Sequence, residues 1–376
     1  MKVFLDNAAT TPLTPKIKQY IISLLDNFYN PSSAYSEGKA SRKIIEQSRQ
    51  SVAGFINGKP ENIIFTSSGS AGNSLVIKGL TSENPEWNDF EVFYSPTAHS
   101  SIIKACETCW YHTSLEVNSY GQIDTDYLKN VLLRHNMHKP LVCLEWGNSE
   151  IGSINSVKEI CDIVHKCNGI VLVDATGYIP SYKVDITEES YIDFLVFSGH
   201  KLHGLKGVGV VYENSKAKLK PLIYGKQENE IFGGTENIIG IASLGKAVED
   251  YDYSSVSSKS RDYVYTYILK NISDCYLVGS PIEDRLPNNL YMCFKGITGE
   301  SLMTLMDMDG IQISTGSACN SGNTTPSSAL ISIGMNEQDI NSCVRLSFSG
   351  NEFVKELDYV CKSLKNNVEK LRKFSE

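Results

Sequence analysis

The chain has 376 residues, 41% of them hydrophobic, and a formal net charge of −8. That length can bury a large core and predicts two or three structural units, while its scattered Lys and Arg exclude the concentrated basic surface that a nucleic-acid backbone requires. Charges interrupt every apolar run, which excludes a membrane span; a small-molecule substrate or a protein partner is the expectation instead.

The opening MKVFLDNAATTP has no apolar core of signal-peptide length. With ten irregularly spaced cysteines, it predicts a reducing, cytoplasmic setting and mostly free thiols. From residue 15 to about 245, β-rich runs alternate with helical ones. The predicted strands are NIIFTSS (62–68), FEVFYSP (90–96), LVCLEW (141–146), GIVLVDAT (169–176), IDFLVFSG (192–199) and GVGVVYE (207–213). Several are apolar throughout, as strands covered on both faces are. Between them lie stretches of helical period such as SVKEICDIVHKC (156–167). This rhythm predicts an α/β fold with a mostly parallel, doubly wound sheet. The pair Cys106 and Cys109 lacks a second Cys or His pair and reads as packed thiols, with no metal expected. Beyond about 250 come a polar entry and long helix, the shorter strands NNLYMCF (288–294) and CVRLSFS (343–349), and a charged C-terminal helix. The predicted division is a large domain over 15–255 and a smaller α+β domain formed by 1–14 and 256–376.

Ligands of open parallel sheets bind beyond the carboxyl ends of the strands. Those ends here carry Ser67–Ser70, His99, Asn148, Asp174 and the run Ser198, Gly199, His200, Lys201. Strand-end Asp and Asn are also common helix caps and turn formers, and a lone lysine there is usually a snorkelling surface residue. Their convergence on one edge favours a site. A lysine amine in a partly desolvated site has its charged form disfavoured and forms a Schiff base with an aldehyde. Asp174 on a neighbouring strand suits the pyridine nitrogen of pyridoxal phosphate, which drains electrons from a carbanion only when protonated. TSSGSAGNS (66–74) opens a helix with small residues, a phosphate cup built on backbone N–H groups. His99 suits ring stacking and proton transfer, and Asn148 a cofactor or substrate contact or a turn.

These motifs, with LDNAATTP (5–12), NPSSAYSEGKAS (30–41), GNSEIG (147–152), VDAT (173–176), FSGHKLHGLKGVG (197–209), GGTEN (233–237), STGSACNSG (314–322) and RLSFS (345–349), resemble the cysteine desulfurases of the NifS/IscS type. These belong to the class V aminotransferase group of fold-type I pyridoxal-phosphate enzymes. The resemblance implies conversion of L-cysteine to L-alanine, with Lys201 as the Schiff-base lysine and Asp174 as the pyridinium partner. It further implies His99 stacked on the ring and moving protons, and Asn148 beside cofactor and substrate. Gly69, Ser70, Ser198 and His200 fall on phosphate and cofactor positions. Thr235 matches a threonine that reaches the phosphate of the neighbouring subunit, which implies a homodimer. Arg345 matches the holder of the substrate carboxylate. Cys319, on a small-residue loop, matches the thiolate that takes up sulfur as a persulfide, and its distance from Pro326 fits members that pass sulfur to an acceptor protein. The chain departs from the pattern at Gly177, where a glutamine usually bonds the cofactor's phenolic oxygen. It departs again at Asn229 and Phe232, usually arginines, and in the cup, where Gly69-Ser70-Ala71 replaces Ala-Thr-Glu. The departures leave open a selenocysteine lyase, another β-eliminating or transaminating enzyme, or a non-catalytic partner-binding subunit.

Overall fold

The structure is a computed structural model that describes residues 1–81, 89–135, 137–315 and 326–375. In chain order its first elements are β1 (Val3–Phe4), α1 (Pro15–Leu24), α2 (Ser36–Phe55), β2 (Ile63–Thr66), α3 (Gly69–Leu80), β3 (Phe90–Tyr94), α4 (Ser100–Glu107), β4 (His112–Ser114), α5 (Thr125–Arg134) and β5 (Lys139–Glu145). They continue with α6 (Val157–Lys166), β6 (Ile170–Asp174), β7 (Phe194–Ser198), β8 (Gly209–Glu213), α7 (Ile238–Glu249), α8 (Lys259–Asn271), β9 (Cys275–Leu277) and β10 (Asn289–Phe294). The last are α9 (Gly299–Met308), β11 (Ile311–Gln312), α10 (Ser328–Ser332), α11 (Glu337–Ile340), β12 (Cys343–Ser347) and α12 (Val354–Ser375).

A seven-stranded sheet of order β2-β8-β7-β6-β5-β3-β4 dominates the larger part. Strands β3 to β7 run parallel, and every residue of β3, β6 and β7 is buried, as their unbroken apolar runs predict. Their side chains alternate between two cores. Val142, Leu144, Val173 and Phe197 face one, with Ile160 and Leu244 from helices. Leu141, Cys143, Leu172 and Val196 face the other, with Leu75 and Ile102 of α3 and α4. The sheet is less uniformly parallel than its strand–helix rhythm suggests: β8 lies antiparallel to both β7 and β2. The segment between β7 and β8 is too short to hold a crossover helix, so the chain turns straight back. The strands also end sooner than the apolar runs suggest, because the backbone turns at Ser67, Ser95, Trp146 and Ala175 to deliver polar groups.

The second unit is an antiparallel sheet of order β12-β10-β9. Val264 of α8, Leu302 and Met306 of α9, and Val360 and Leu364 of α12 share its core. The N-terminus joins this core: β1 pairs parallel with β11, and Val3 and Leu5 are buried there. Asn7 donates from Nδ2 to the Ser347 carbonyl at 2.9 Å. Farther on, Thr11 Oγ1 donates to the His200 carbonyl at 2.9 Å, so the first dozen residues tie the two sheets together. Cys106 and Cys109 are buried, as packing predicts, and no group of metal-ligating side chains occurs among the described residues. No described helix is long and apolar enough to cross a membrane.

Candidate active site

A cavity of about 350 Å³ opens where β5, β6 and β7 end. It brings together Gly69, Ser70, His99, Asn148, Asp174, Ser198, His200, Lys201 and Arg345, all expected from the sequence. Thr235 is not among the lining residues and is exposed on its loop. Cys319 lies outside the described residues.

Each element delivers its group for a local reason. Ser68 caps α3, its hydroxyl accepting from Ala71 N at 3.1 Å, so the first turn of the helix presents Gly69 and Ser70 and its unpaired N–H groups to the cavity. A Cβ on Gly69 would come within 3.3 Å of Thr176 Oγ1 and 3.4 Å of Ser198 Cβ, which keeps the cup narrow. Asp174 ends β6, with Oδ2 accepting from Asn73 Nδ2 at 2.7 Å and Oδ1 from Thr176 N at 2.9 Å. Two N–H donors, one of them from α3, fix its orientation.

His99 caps α4: its Nδ1 accepts from Ser101 N at 3.2 Å and sits 2.8 Å from Ser101 Oγ. The accepting Nδ1 places the ring proton on Nε2 of the neutral tautomer. Burial pushes the imidazole below its ordinary value; nearby Asp174 opposes this and Lys201 adds to it. The helix cap and the candidate proton carrier are therefore one residue. Asn148 likewise serves a turn, donating to the Thr97 carbonyl at 2.7 Å and accepting from Glu150 N and Ile151 N at 2.8 and 2.9 Å. His200 sits with Nδ1 3.2 Å from Thr10 Oγ1. Burial, then Lys201 and Lys206, push it down to about 4, so it is neutral at physiological pH.

Lys201 follows β7 in a short 3₁₀ turn, and its Nζ donates to Ser149 Oγ at 3.3 Å. Gly177 accounts for that serine's position. A Cβ at 177 would strike the Gly147 carbonyl oxygen and come within 2.6 Å of Ser149 Oγ, so any side chain there, a glutamine included, requires the Gly147–Ser149 turn to shift. Arg345 is buried on the edge strand β12, not displayed at the surface. It pairs with Asp6 at 2.9 Å and donates to the Ser149 carbonyl at 3.2 Å. The arginines expected near 229 and 232 are replaced structurally. Glu228, Asn229 and Glu230 adopt φ of 46°, 56° and 68°, and Glu228 receives Arg49 on both oxygens at 2.8 Å. Phe232 packs on the apolar cluster beneath α3 and α4.

Sequence reading missed Asn73, Glu145 and Glu150. Asn73 lies one turn past the cup on the same helix. Glu150 lines the cavity and is pushed up to about 6 by burial, which Ser327, Arg345 and Tyr291 partly offset. Glu145 was within reach through the period of its strand: Leu141, Cys143 and residue 145 share a face.

The donor set fits pyridoxal phosphate: an amine, a carboxylate held for a ring nitrogen, an imidazole and a helix N-terminus share one cavity. Thr176 Oγ1 and Arg345 Nε, buried at its wall, have no hydrogen-bond partner, the signature of a polar ligand's place. Fold and site define a fold-type I pyridoxal-phosphate enzyme.

The aminotransferase class-V family model matches residues 3–360, and the chain belongs to that family. It is 34% identical to the cysteine desulfurase IscS of Dictyoglomus turgidum, across 100% of this chain and 96% of the relative. It is 33% identical to the cysteine desulfurase IscS of Methanosarcina thermophila, across 99% and 93%. Among solved structures, a NifS-like protein superposes with a TM-score of 0.89 at 25% identity, covering 99% of this chain and all of that one. A NifS-like protein of Rickettsia africae superposes at 0.87 with 26% identity, covering 98% and 100%.

Proposed function

We propose that the protein is a cysteine desulfurase that converts L-cysteine to L-alanine and delivers the sulfur to an acceptor. The observation that carries the reading is the convergence of Lys201, Asp174, His99 and Arg345 on one cavity. Bound there, pyridoxal phosphate supplies an aldehyde for the amines of Lys201 and substrate and a ring that accepts electrons from Cα. Asp174, oriented by Asn73, holds the ring-nitrogen proton. The N-terminus of α3 with Ser70, Ser198 and His200 binds the phosphate, and Arg345 orients the substrate carboxylate. Lys201 would take the Cα proton of the substrate, and His99, with its proton on Nε2, would exchange protons with the substrate in the same cavity. The Cys319 thiolate attacks the substrate sulfur. An S–S bond forms as the C–S bond breaks, the electron pair leaves on carbon, and protonation there yields alanine.

The reading includes a large unit over 15–255, a small one over 1–14 and 256–376, a homodimer in which Thr235 reaches the partner's phosphate, a cytoplasmic location and a protein acceptor for the Cys319 persulfide. The test is release of alanine from L-cysteine by the cofactor-loaded protein with a reducing thiol. Stoichiometric alanine and sulfide support it; no alanine from a protein that borohydride fixes to its cofactor overturns the substrate. A Cys319→Ser variant is expected to keep cofactor binding and lose sulfur transfer.

A further inference from the structure

Glu145 closes β5 and stands in register with Asp174 on β6. Both side chains lie on the α3/α4 side of the sheet, in line with Leu141, Cys143 and Leu172, so the two carboxyl-bearing side chains rise from paired positions of adjacent strands on one face. Their surroundings are unequal. Asp174 receives N–H donors on both oxygens. Glu145 receives one, from the backbone of His99, and its Oε2 is buried without a hydrogen-bond partner. Both line the cavity that holds Lys201. Neighbouring like charges oppose each other's ionisation, and burial with few hydrogen-bond donors disfavours the anion of Glu145.

We propose that Glu145 is a positioning residue of this active site: a carboxylic acid beside Asp174 that is held protonated at neutral pH and whose ionisation favours the positively charged form of Lys201. The groups facing Glu145 are Asp174 from β6, Lys201 after β7, His99 at the start of α4 and Glu150 after β5. Burial, then Asp174, push the acid up to about 8; Lys201 and the His99 N–H oppose this, and Glu150 adds to it. Glu145 therefore acts on the cofactor through Lys201 and Asp174, without contact of its own being required.

The inference rests on the reading that Lys201 holds the cofactor, and its test separates the two. Infrared difference spectra of the apo and cofactor-loaded protein, wild type minus Glu145→Gln, are expected to show the carbonyl stretch of a protonated carboxylic acid at pH 7, fading as pH passes about 8. The apo arm reports on Glu145 even when cofactor binding fails. In the loaded protein, Glu145→Gln cannot become negative, so the pH midpoint of the cofactor's absorbance is expected to fall by roughly one unit. Glu145→Asp, which keeps an ionisable group, is expected to recover part of that shift, while Glu145→Met matches the glutamine variant. A difference spectrum without the acid band, or an unchanged midpoint in both uncharged variants, overturns the proposal. Failure of borohydride to fix the cofactor overturns the role of Lys201 instead.

Discussion

The loop that carries Thr235 is fastened to the core by the buried ion pair of Arg49 and Glu228, and Glu228→Gln tests that fastening. Glu228 accepts from Arg49 Nη1 and Nη2 and from Phe65 N, each at 2.8 Å. Arg49 is 9% exposed and Glu228 8%. Removing one charge of a buried pair costs about 3–5 kcal/mol because the other is left unpaired. Arg49 keeps the Ile63 carbonyl at 2.7 Å and Glu46 at 3.1 Å, which places the cost near the lower end, about 3 kcal/mol. At ~2–4 °C per kcal/mol for chains of this order of size, the thermal midpoint should fall by roughly 6–12 °C. The assay is thermal and urea unfolding of the cofactor-loaded protein by circular dichroism. Arg49→Met combined with Glu228→Leu should recover most of the loss, since it leaves no buried charge. A Glu228→Gln variant within about 0.5 kcal/mol of wild type, the spread of ordinary surface substitutions, would refute the assignment of the pair as the loop's anchor.

Lys201→Ala should abolish borohydride fixation of pyridoxal phosphate while leaving the unfolding midpoint of the apo protein near wild type, read by mass spectrometry and circular dichroism. Gly177→Ala places a methyl against the Gly147 carbonyl and Ser149 Oγ; the overpacking should cost about 1–3 kcal/mol, and a variant as stable as wild type would show that the turn relaxes freely. His200 gives a pH signature. Its value drops from 6.5 unfolded to about 4 folded, so the unfolded chain binds the extra proton between those limits and stability rises with pH across them. Falling from pH 6.5 to 4 should therefore cost about 3 kcal/mol from this group, and His200→Gln should flatten that part of the stability–pH curve. Asn73→Leu removes the donor that aims Asp174; cofactor affinity should weaken by roughly tenfold, the worth of one charge-assisted hydrogen bond, as measured by equilibrium dialysis.

What was legible in the sequence follows from distance along the chain. Asp174 and Lys201 end apolar runs whose both-face burial is written in β6 and β7, so their placement at one edge needs only the rule that ligands meet strand ends. Ser149, Gly177 and Lys201 depend on a turn-to-turn approach that no local pattern encodes. Glu145 escaped because the run LVCLEW continues through Trp146, whose apolar bulk hides where the strand stops. The antiparallel β8 escaped because GVGVVYE has the composition of its parallel neighbours, and direction is set by the length of the preceding connection. Arg49 and Glu228 are 179 residues apart, and each alone reads as a solvated surface charge. Phe232 shows the reverse case: a missing arginine looks like a functional change, yet the ring is partly buried against the core.

The N-terminal tie between the two sheets also sets a clock on synthesis. Asn7 finds its partner 340 residues later, and Arg345, paired with Asp6, belongs to the same late strand. At ~5–20 residues per second, the beginning of the chain waits roughly 20–70 s on the ribosome for the strand it must join. During that interval the large sheet can form around an unfinished cavity, open on the side that Arg345 later walls. If the large sheet forms in that interval, a nascent chain stalled before residue 343 should expose a lysine that aldehydes reach from solvent.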